Sequence, residues 1–139
     1  MDYFSSTFKL GILGGGQLGK MLLSETRKFD IYTKVLDPSN EAPCKISANE
    51  FIQGDLMDYE TVYNFGKDID LLTVEIENIN IEALKQLELE GLKVYPQPDV
   101  LEKIRNKGRQ KQFYDINDIP TAPFTVYNSL TDLKEAINS

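Results

Sequence analysis

The chain has 139 residues and a formal charge of -7, with no histidine and one cysteine, Cys44. Its length suits one domain with a core plus a fragment of another, and its scattered Lys and Arg in an acidic background exclude a nucleic-acid partner. Histidine-based triads, imidazole zinc sites and an internal disulfide framework are excluded as well, which leaves carboxylates, amines, amides and backbone for any chemistry.

The N-terminal MDYFSSTFK has no basic region followed by an apolar core. No stretch approaches the ~18 apolar residues needed to cross a bilayer, so the expectation is a cytoplasmic protein without membrane contact. Lys9 to Leu13 reads as a buried strand running into three consecutive glycines, Gly14 to Gly16. Helical spacing then predicts a helix over 17–29, with Leu18, Met21, Leu22 and Phe29 as its sheet-facing stripe and Asp30 closing it. The first turn carries no acidic side chain, which leaves the positive end of the helix free for an external anion.

Tyr32 to Leu36 is a second strand, stopped at Asp37-Pro38. Residues 39–49 lack periodicity and read as a loop with at most one helical turn. A third strand spans Glu50 to Gln53 and is broken by Gly54-Asp55. A helix from about Asp58 to Lys67 has Asp58 as its cap and Tyr59, Val62 and Tyr63 on one side. Leu71 to Val74 is the fourth strand, and Glu75-Ile76-Glu77-Asn78 is its polar exit. Asn80 caps a helix to about Glu90 that buries Ile81, Leu84 and Leu87 and ends at Gly91. Lys93 to Tyr95 is the fifth strand, stopped by Pro96. The order fits an α/β fold with an open, mostly parallel sheet covered by helices on both faces, its strand exits all on one edge.

Beyond Pro96 the character changes. Residues 98–116 form a polar helical stretch, kinked near Gly108, with Val100, Leu101, Ile104, Phe113 and Tyr114 as anchors. Ile119 to Tyr127 is extended, and Ser129 to Asp132 has a capping-box pattern that opens a last helix. The expected organisation is a Rossmann-like domain over 1–98, a helical linker over 99–118, and the first elements of a second domain over 119–139, cut off at Ser139.

Gly14-x-Gly16-x-x-Gly19 matches the dinucleotide fingerprint, and Asp37 stands 21 residues past Gly16, where a ribose-binding acid would sit. That leaves three readings open: an NAD- or FAD-binding oxidoreductase domain, a non-catalytic Rossmann-like binding domain, and glycines that only permit a tight turn. A Walker A loop is excluded, because no Lys-Ser/Thr pair follows the glycines. Glu75 and Glu77 would share a face if their strand persisted, and paired carboxylates in a crevice would raise one of the two pKa values. For Asn78 helix capping is an alternative, and for Asp37 a turn-forming Asp-Pro.

The text around the glycines narrows the choice. ILGGGQLGKML, VLDP, the GD of FIQGD, TVEIENI, NKGRQKQF and IPTAPF occur in that order, and together they resemble the N5-carboxyaminoimidazole ribonucleotide synthetases, ATP-grasp carboxylases of purine biosynthesis. The resemblance covers nearly the whole chain from Lys9. It implies a pre-ATP-grasp domain, a linker and the start of an ATP-grasp domain. It also implies ATP, Mg²⁺, bicarbonate and 5-aminoimidazole ribonucleotide as cofactors and substrates. In such enzymes the N-terminal domain holds the acceptor ribonucleotide rather than a dinucleotide.

Carried over residue by residue, the resemblance places Gly16, Gln17, Leu18, Glu75, Glu77 and Asn78 at the acceptor. For Leu18 the first rung of the apolar stripe is an equal alternative, and for the two glutamates an exposed loop. Lys107 aligns with a basic ATP contact, although NKG stands where many relatives carry an arginine after an aspartate, which keeps a charge and loses a bidentate fork. The glycine-rich flap, the adenine contacts and the metal-binding acids of such enzymes lie downstream of Ser139. The 139-residue chain alone is therefore expected to be catalytically inert, with no catalytic or metal-ligating residue of its own. Family members commonly pair through this region, which implies a homodimer, although no apolar seam can be isolated by pattern.

Overall fold

Alternation with period two decides which face of the sheet each strand residue serves. The computed structural model describes residues 7–138. Five strands, β1 (Lys9–Leu13), β2 (Tyr32–Asp37), β3 (Glu50–Gln53), β4 (Leu71–Val74) and β5 (Lys93–Tyr95), form one sheet in the order β3-β2-β1-β4-β5. All four pairings are parallel. On one face Leu13, Leu36 and Leu72 join a core with Val62, Phe65, Leu84, Leu87 and Leu101. On the other, Leu10, Ile12 and Val35 pack with Leu23 and Cys44. The Rossmann-like sheet with helices on both faces is thus the observed architecture.

Helix α1 (Gln17–Thr26) continues into a 3₁₀ turn (Arg27–Phe29) and ends at Asp30 in the left-handed region, φ 54°. Its buried face differs from the expected one. Leu18, Met21, Leu22 and Phe29 are exposed, while Gly19, Leu23 and Thr26 are buried. The cause is steric: a Cβ at Gly19 would lie 2.9 Å from Cys44 Sγ and 3.1 Å from the Gly14 carbonyl oxygen. The helix starts pressed against the glycine turn, and only a residue without a side chain fits its inner side there.

Helices α2 (Tyr59–Gly66) and α3 (Ile81–Leu89) pack on the larger core. The caps are the expected ones, Asp58 accepting from Thr61 N–H at 2.8 Å and Asn80 from Ala83 N–H at 2.9 Å. Helix α2 buries Val62, Phe65 and Gly66, so Tyr59 is not part of its inner face. Tyr59 instead stacks on Tyr63 with centroids 5.7 Å apart. Gly66 lets α2 approach α3 closely: a Cβ there would lie 2.7 Å from Leu87 Cδ2 and closer still to Cδ1. Leu87 is itself 2 % exposed and cannot swing clear. Overpacking outweighs the gain in helix propensity, so Gly66→Ala is expected to destabilise by about 1–2 kcal/mol. A lowered urea midpoint at unchanged slope would show it.

Two compact units are present, Met1–Glu102 and Lys103–Ser139. Pro98 and Leu101 of α4 (Pro98–Arg105) are buried, and Leu101 joins the first unit's core. The break before α5 (Lys107–Ile116) falls at Asn106, whose side chain caps α5 by accepting from Arg109 N–H at 3.0 Å. The interruption thus comes from a capping asparagine two residues before Gly108. Val100 and Phe113 are exposed rather than anchoring. In α6 (Leu130–Asn138) the Ser129 hydroxyl accepts from Asp132 N–H at 3.1 Å, the first half of the expected capping box.

Candidate functional site at the sheet switch point

In a parallel sheet ordered 3-2-1-4-5, connections leave in opposite directions from β1 and β4, which opens a crevice beyond their C-terminal ends. The glycine turn leaves β1 there and Glu75 leaves β4. Gly14 N–H donates to Leu36 O at 2.9 Å and Glu75 N–H to Leu13 O at 2.7 Å, so both exits are tied to the ladder.

The Glu75 carboxylate lies against the glycine turn. A Cβ at Gly14 would fall 2.8 Å from Glu75 Oε2, and one at Gly16 2.6 Å from Oε1. At both places a carboxylate from the residue that follows β4 occupies the space a side chain would take, and at Gly14 the positive φ of +99° requires glycine as well. Beside it Leu18, Gly19, Leu22, Val74 and Glu75 line a recess of about 170 Å³. Leu18 is 66 % exposed, so it borders the recess and is no rung of the core stripe. Gly16 is the N-cap of α1 and supplies no side-chain cap, which leaves first-turn N–H groups for a ligand. The Gln17 side chain is exposed at the same turn.

Strand β4 ends at Val74, so Glu75 and Glu77 do not continue one pleated face. Glu75 is half-buried, whereas Glu77 and Asn78 are exposed. Asn78 is not the helix cap; Asn80 is, and its amide also donates to Met57 O at 2.9 Å. Lys107 opens α5 in the second unit and is exposed. The structure thus brings Gly16, Gln17, Leu18 and Glu75 to one crevice.

Asp37 does not offer a free carboxylate to a ribose. Its Oδ2 accepts from Gly15 N–H at 2.7 Å and its Oδ1 from Ser39 N–H at 2.8 Å. Cys44, which the sequence pattern did not single out, is fully buried beside the turn. Its N–H donates to Gly15 O at 3.0 Å and its Sγ to Gly16 O at 3.7 Å. The only signal was the pair of small residues Ala42 and Cys44 in a segment otherwise without periodicity.

Burial, then the Glu75 and Asp37 carboxylates, push the Cys44 thiol up to about 11, with Lys20 opposing. The group is therefore a thiol at neutral pH. Alkylation of the folded protein at pH 8 is expected to run about a hundredfold or more slower than in denaturant, as iodoacetamide labelling would show. Because the unfolded chain gives up this proton first, the stability tied to the thiol is full below about pH 9 and is lost as pH rises through about 11.

Among the described residues no three His, Cys, Asp or Glu side chains come together to hold a metal ion, and no helix is long and apolar enough to cross a membrane.

Comparison with known proteins identifies the family of the chain. Residues 7–105 match the ribonucleotide synthetase preATP-grasp domain. The phosphoribosylaminoimidazole carboxylase of Candida glabrata is 36 % identical over 128 residues, covering 89 % of this chain and 22 % of the relative. The crystal structure of N5-carboxyaminoimidazole ribonucleotide synthetase from Thermotoga maritima superposes with TM-score 0.82 at 39 % identity, covering 92 % of this chain and 36 % of that one. The Aspergillus clavatus N5-carboxyaminoimidazole synthase in complex with ADP and 5-aminoimidazole ribonucleotide gives TM-score 0.79 at 32 % identity, covering 94 % and 36 %. The chain spans about a fifth of the fungal relative and about a third of the two solved chains.

Proposed function

The chain belongs to the ribonucleotide synthetase preATP-grasp domain family, and from that premise we propose that it is the acceptor-holding domain of an N5-carboxyaminoimidazole ribonucleotide synthetase. The overall reaction joins bicarbonate to the exocyclic amine of 5-aminoimidazole ribonucleotide and converts ATP to ADP and phosphate. ATP activates bicarbonate as carboxyphosphate; the amine nitrogen then bonds to the carbon of carboxyphosphate, or of the carbon dioxide released from it, phosphate leaves, and the nitrogen gives up a proton.

One observation carries the reading: the Glu75 carboxylate seated against Gly14 and Gly16 at the switch point. A dinucleotide pyrophosphate would need that space and would meet a negative charge. An amine fits, since a carboxylate accepts its N–H and steadies the charge that develops as the new bond forms. The Gln17 amide and first-turn N–H groups of α1 suit ring or ribose oxygens, and Leu18 gives the ring an apolar flank.

Glu77 and Asn78 are proposed at the rim of the same acceptor site, and Lys107 as an ATP contact in the second unit. Residues 119–139 are read as the start of an ATP-grasp domain. Mg²⁺ would supply charge neutralisation on the phosphates when bound. A reducing cytoplasm and pairing into a homodimer complete the proposal.

The test is ADP release by the purified full-length protein. Release that requires both bicarbonate and the aminoimidazole ribonucleotide is expected, while the 139-residue chain alone is expected to release none. Acceptor-independent hydrolysis, or calorimetric binding of NAD at micromolar concentration, would sink the reading.

A further inference from the structure

Gly15 is gripped at both ends of its main chain, by the last residue of β2 and by the segment that follows it. Its N–H goes to Asp37 Oδ2 at 2.7 Å and its carbonyl accepts from Cys44 N–H at 3.0 Å. A Cβ at Gly15 would lie 3.1 Å from both the Asp37 and Ala42 Cβ atoms, so this clamp closes tightly. It adds nothing to the sheet, whose last ladder bond at this exit is the one from Gly14 N–H to Leu36 O. Nor is it needed for the Asp-Pro turn, which Asp37 Oδ1 already fixes through Ser39 N–H at 2.8 Å. The second carboxylate oxygen reaches to a different strand exit, with a short charge-assisted bond.

What that bond fixes is the orientation of the next peptide. Gly16 follows directly, is the N-cap of α1, and has its missing side chain replaced by Glu75 Oε1. Rotation of the Gly15 peptide would move both the start of α1 and the surface against which Glu75 rests.

We propose that Asp37 is a positioning residue for the acceptor: through Gly15 it holds the glycine turn in the one orientation that seats Glu75 and opens the recess beside Leu18. The acid that stands where a dinucleotide enzyme would bind ribose is turned inward to shape the pocket. Asp37 touches no reacting atom in this role. The inference rests on the acceptor-holding function proposed above.

The test compares wild-type, Asp37→Asn and Asp37→Ala full-length protein. Asparagine keeps one acceptor oxygen and sets an NH₂ against the other main-chain donor; alanine removes both acceptors. The KM for the aminoimidazole ribonucleotide is expected to rise on the order of tenfold for Asp37→Asn, and further for Asp37→Ala, with the KM for ATP unchanged. A displaced Gly15 amide resonance in Asp37→Asn would accompany it and also serves if Asp37→Ala does not fold. Equal rises in both KM values, a fall in kcat alone with a lowered melting temperature, or an unmoved Gly15 resonance would overturn the proposal. Wild-type protein whose ADP release ignores the acceptor would instead overturn the functional reading beneath it.

Discussion

Gly14→Ala is expected to cost about 2–4 kcal/mol of stability, whereas Gly16→Ala should cost less than about 1 kcal/mol. The two glycines face the same carboxylate, yet their backbones differ. Gly14 has φ +99°, a region that L side chains rarely adopt, and its N–H is held by Leu36 O at 2.9 Å. Its new Cβ would also meet Ile76 Cγ2 at 3.0 Å and Glu75 Cβ at 3.1 Å, close to the main chain where little can move. Strain and contact therefore add. Gly16 sits at φ -71°, which alanine accepts. Its nearest atoms are Glu75 Oε1 at 2.6 Å and Cδ at 3.3 Å, at the far end of a side chain that can swing away. Gly16→Ala should therefore fold and melt nearly as the parent does, while losing acceptor-dependent turnover because Glu75 is displaced. Urea titration of both variants decides the matter, and equal costs would show that strain at Gly14 has been misjudged.

That contrast marks the limit of what sequence text carries. The strands are legible because short apolar runs such as Leu71 to Val74 are bounded by acidic residues, Gly or Pro, and a parallel sheet needs such runs buried on both faces. The caps at Asp58 and Asn80 are legible because capping is local chemistry. The phase of α1 is not. Leu18, Met21 and Leu22 obey helical spacing, and so do Gly19, Leu23 and Thr26. The choice between the two faces depends on Gly19 meeting Cys44 and the Gly14 carbonyl, contacts that exist only once the turn has formed.

The site divides in the same way. Gly16, Gln17 and Leu18 are visible as a glycine turn entering a helix. No spacing rule shows that Glu75, far along the chain, fills the gap left by Gly16, because the sheet order brings them together. Asp37 is conspicuous by its distance from the glycines, but whether its carboxylate faces a ligand or the turn is settled by the Gly15 N–H. Cys44 lies in a segment without periodicity, so pattern reading has no hold on it.

On the proposed acceptor-holding function, Glu75→Gln in the full-length protein is expected to lower acceptor-dependent kcat by about a hundredfold or more, with the KM for ATP unchanged. The amine must present its lone pair to the carboxyl carbon, and in the proposed arrangement an N–H held by Glu75 would direct that lone pair away from the carboxylate. In that proposed role, as the nitrogen bonds to carbon it becomes cationic and acidic, and the carboxylate would both favour that charge and receive the proton. The sequence alone assigns Glu75 no such catalytic part. Glutamine keeps the size and one acceptor oxygen but has neither the charge nor the basicity. Since the lost interaction strengthens in the transition state, kcat should fall more than KM rises. A second reading of the same variant is independent of catalysis. Glu75 is one of the charges that raise the Cys44 pKa, so removing its charge should lower that pKa and speed thiol labelling in native buffer. Faster labelling with unchanged turnover would leave the geometry standing and remove Glu75 from the chemistry. Unchanged labelling would show that the carboxylate does not sit beside the glycine turn in solution.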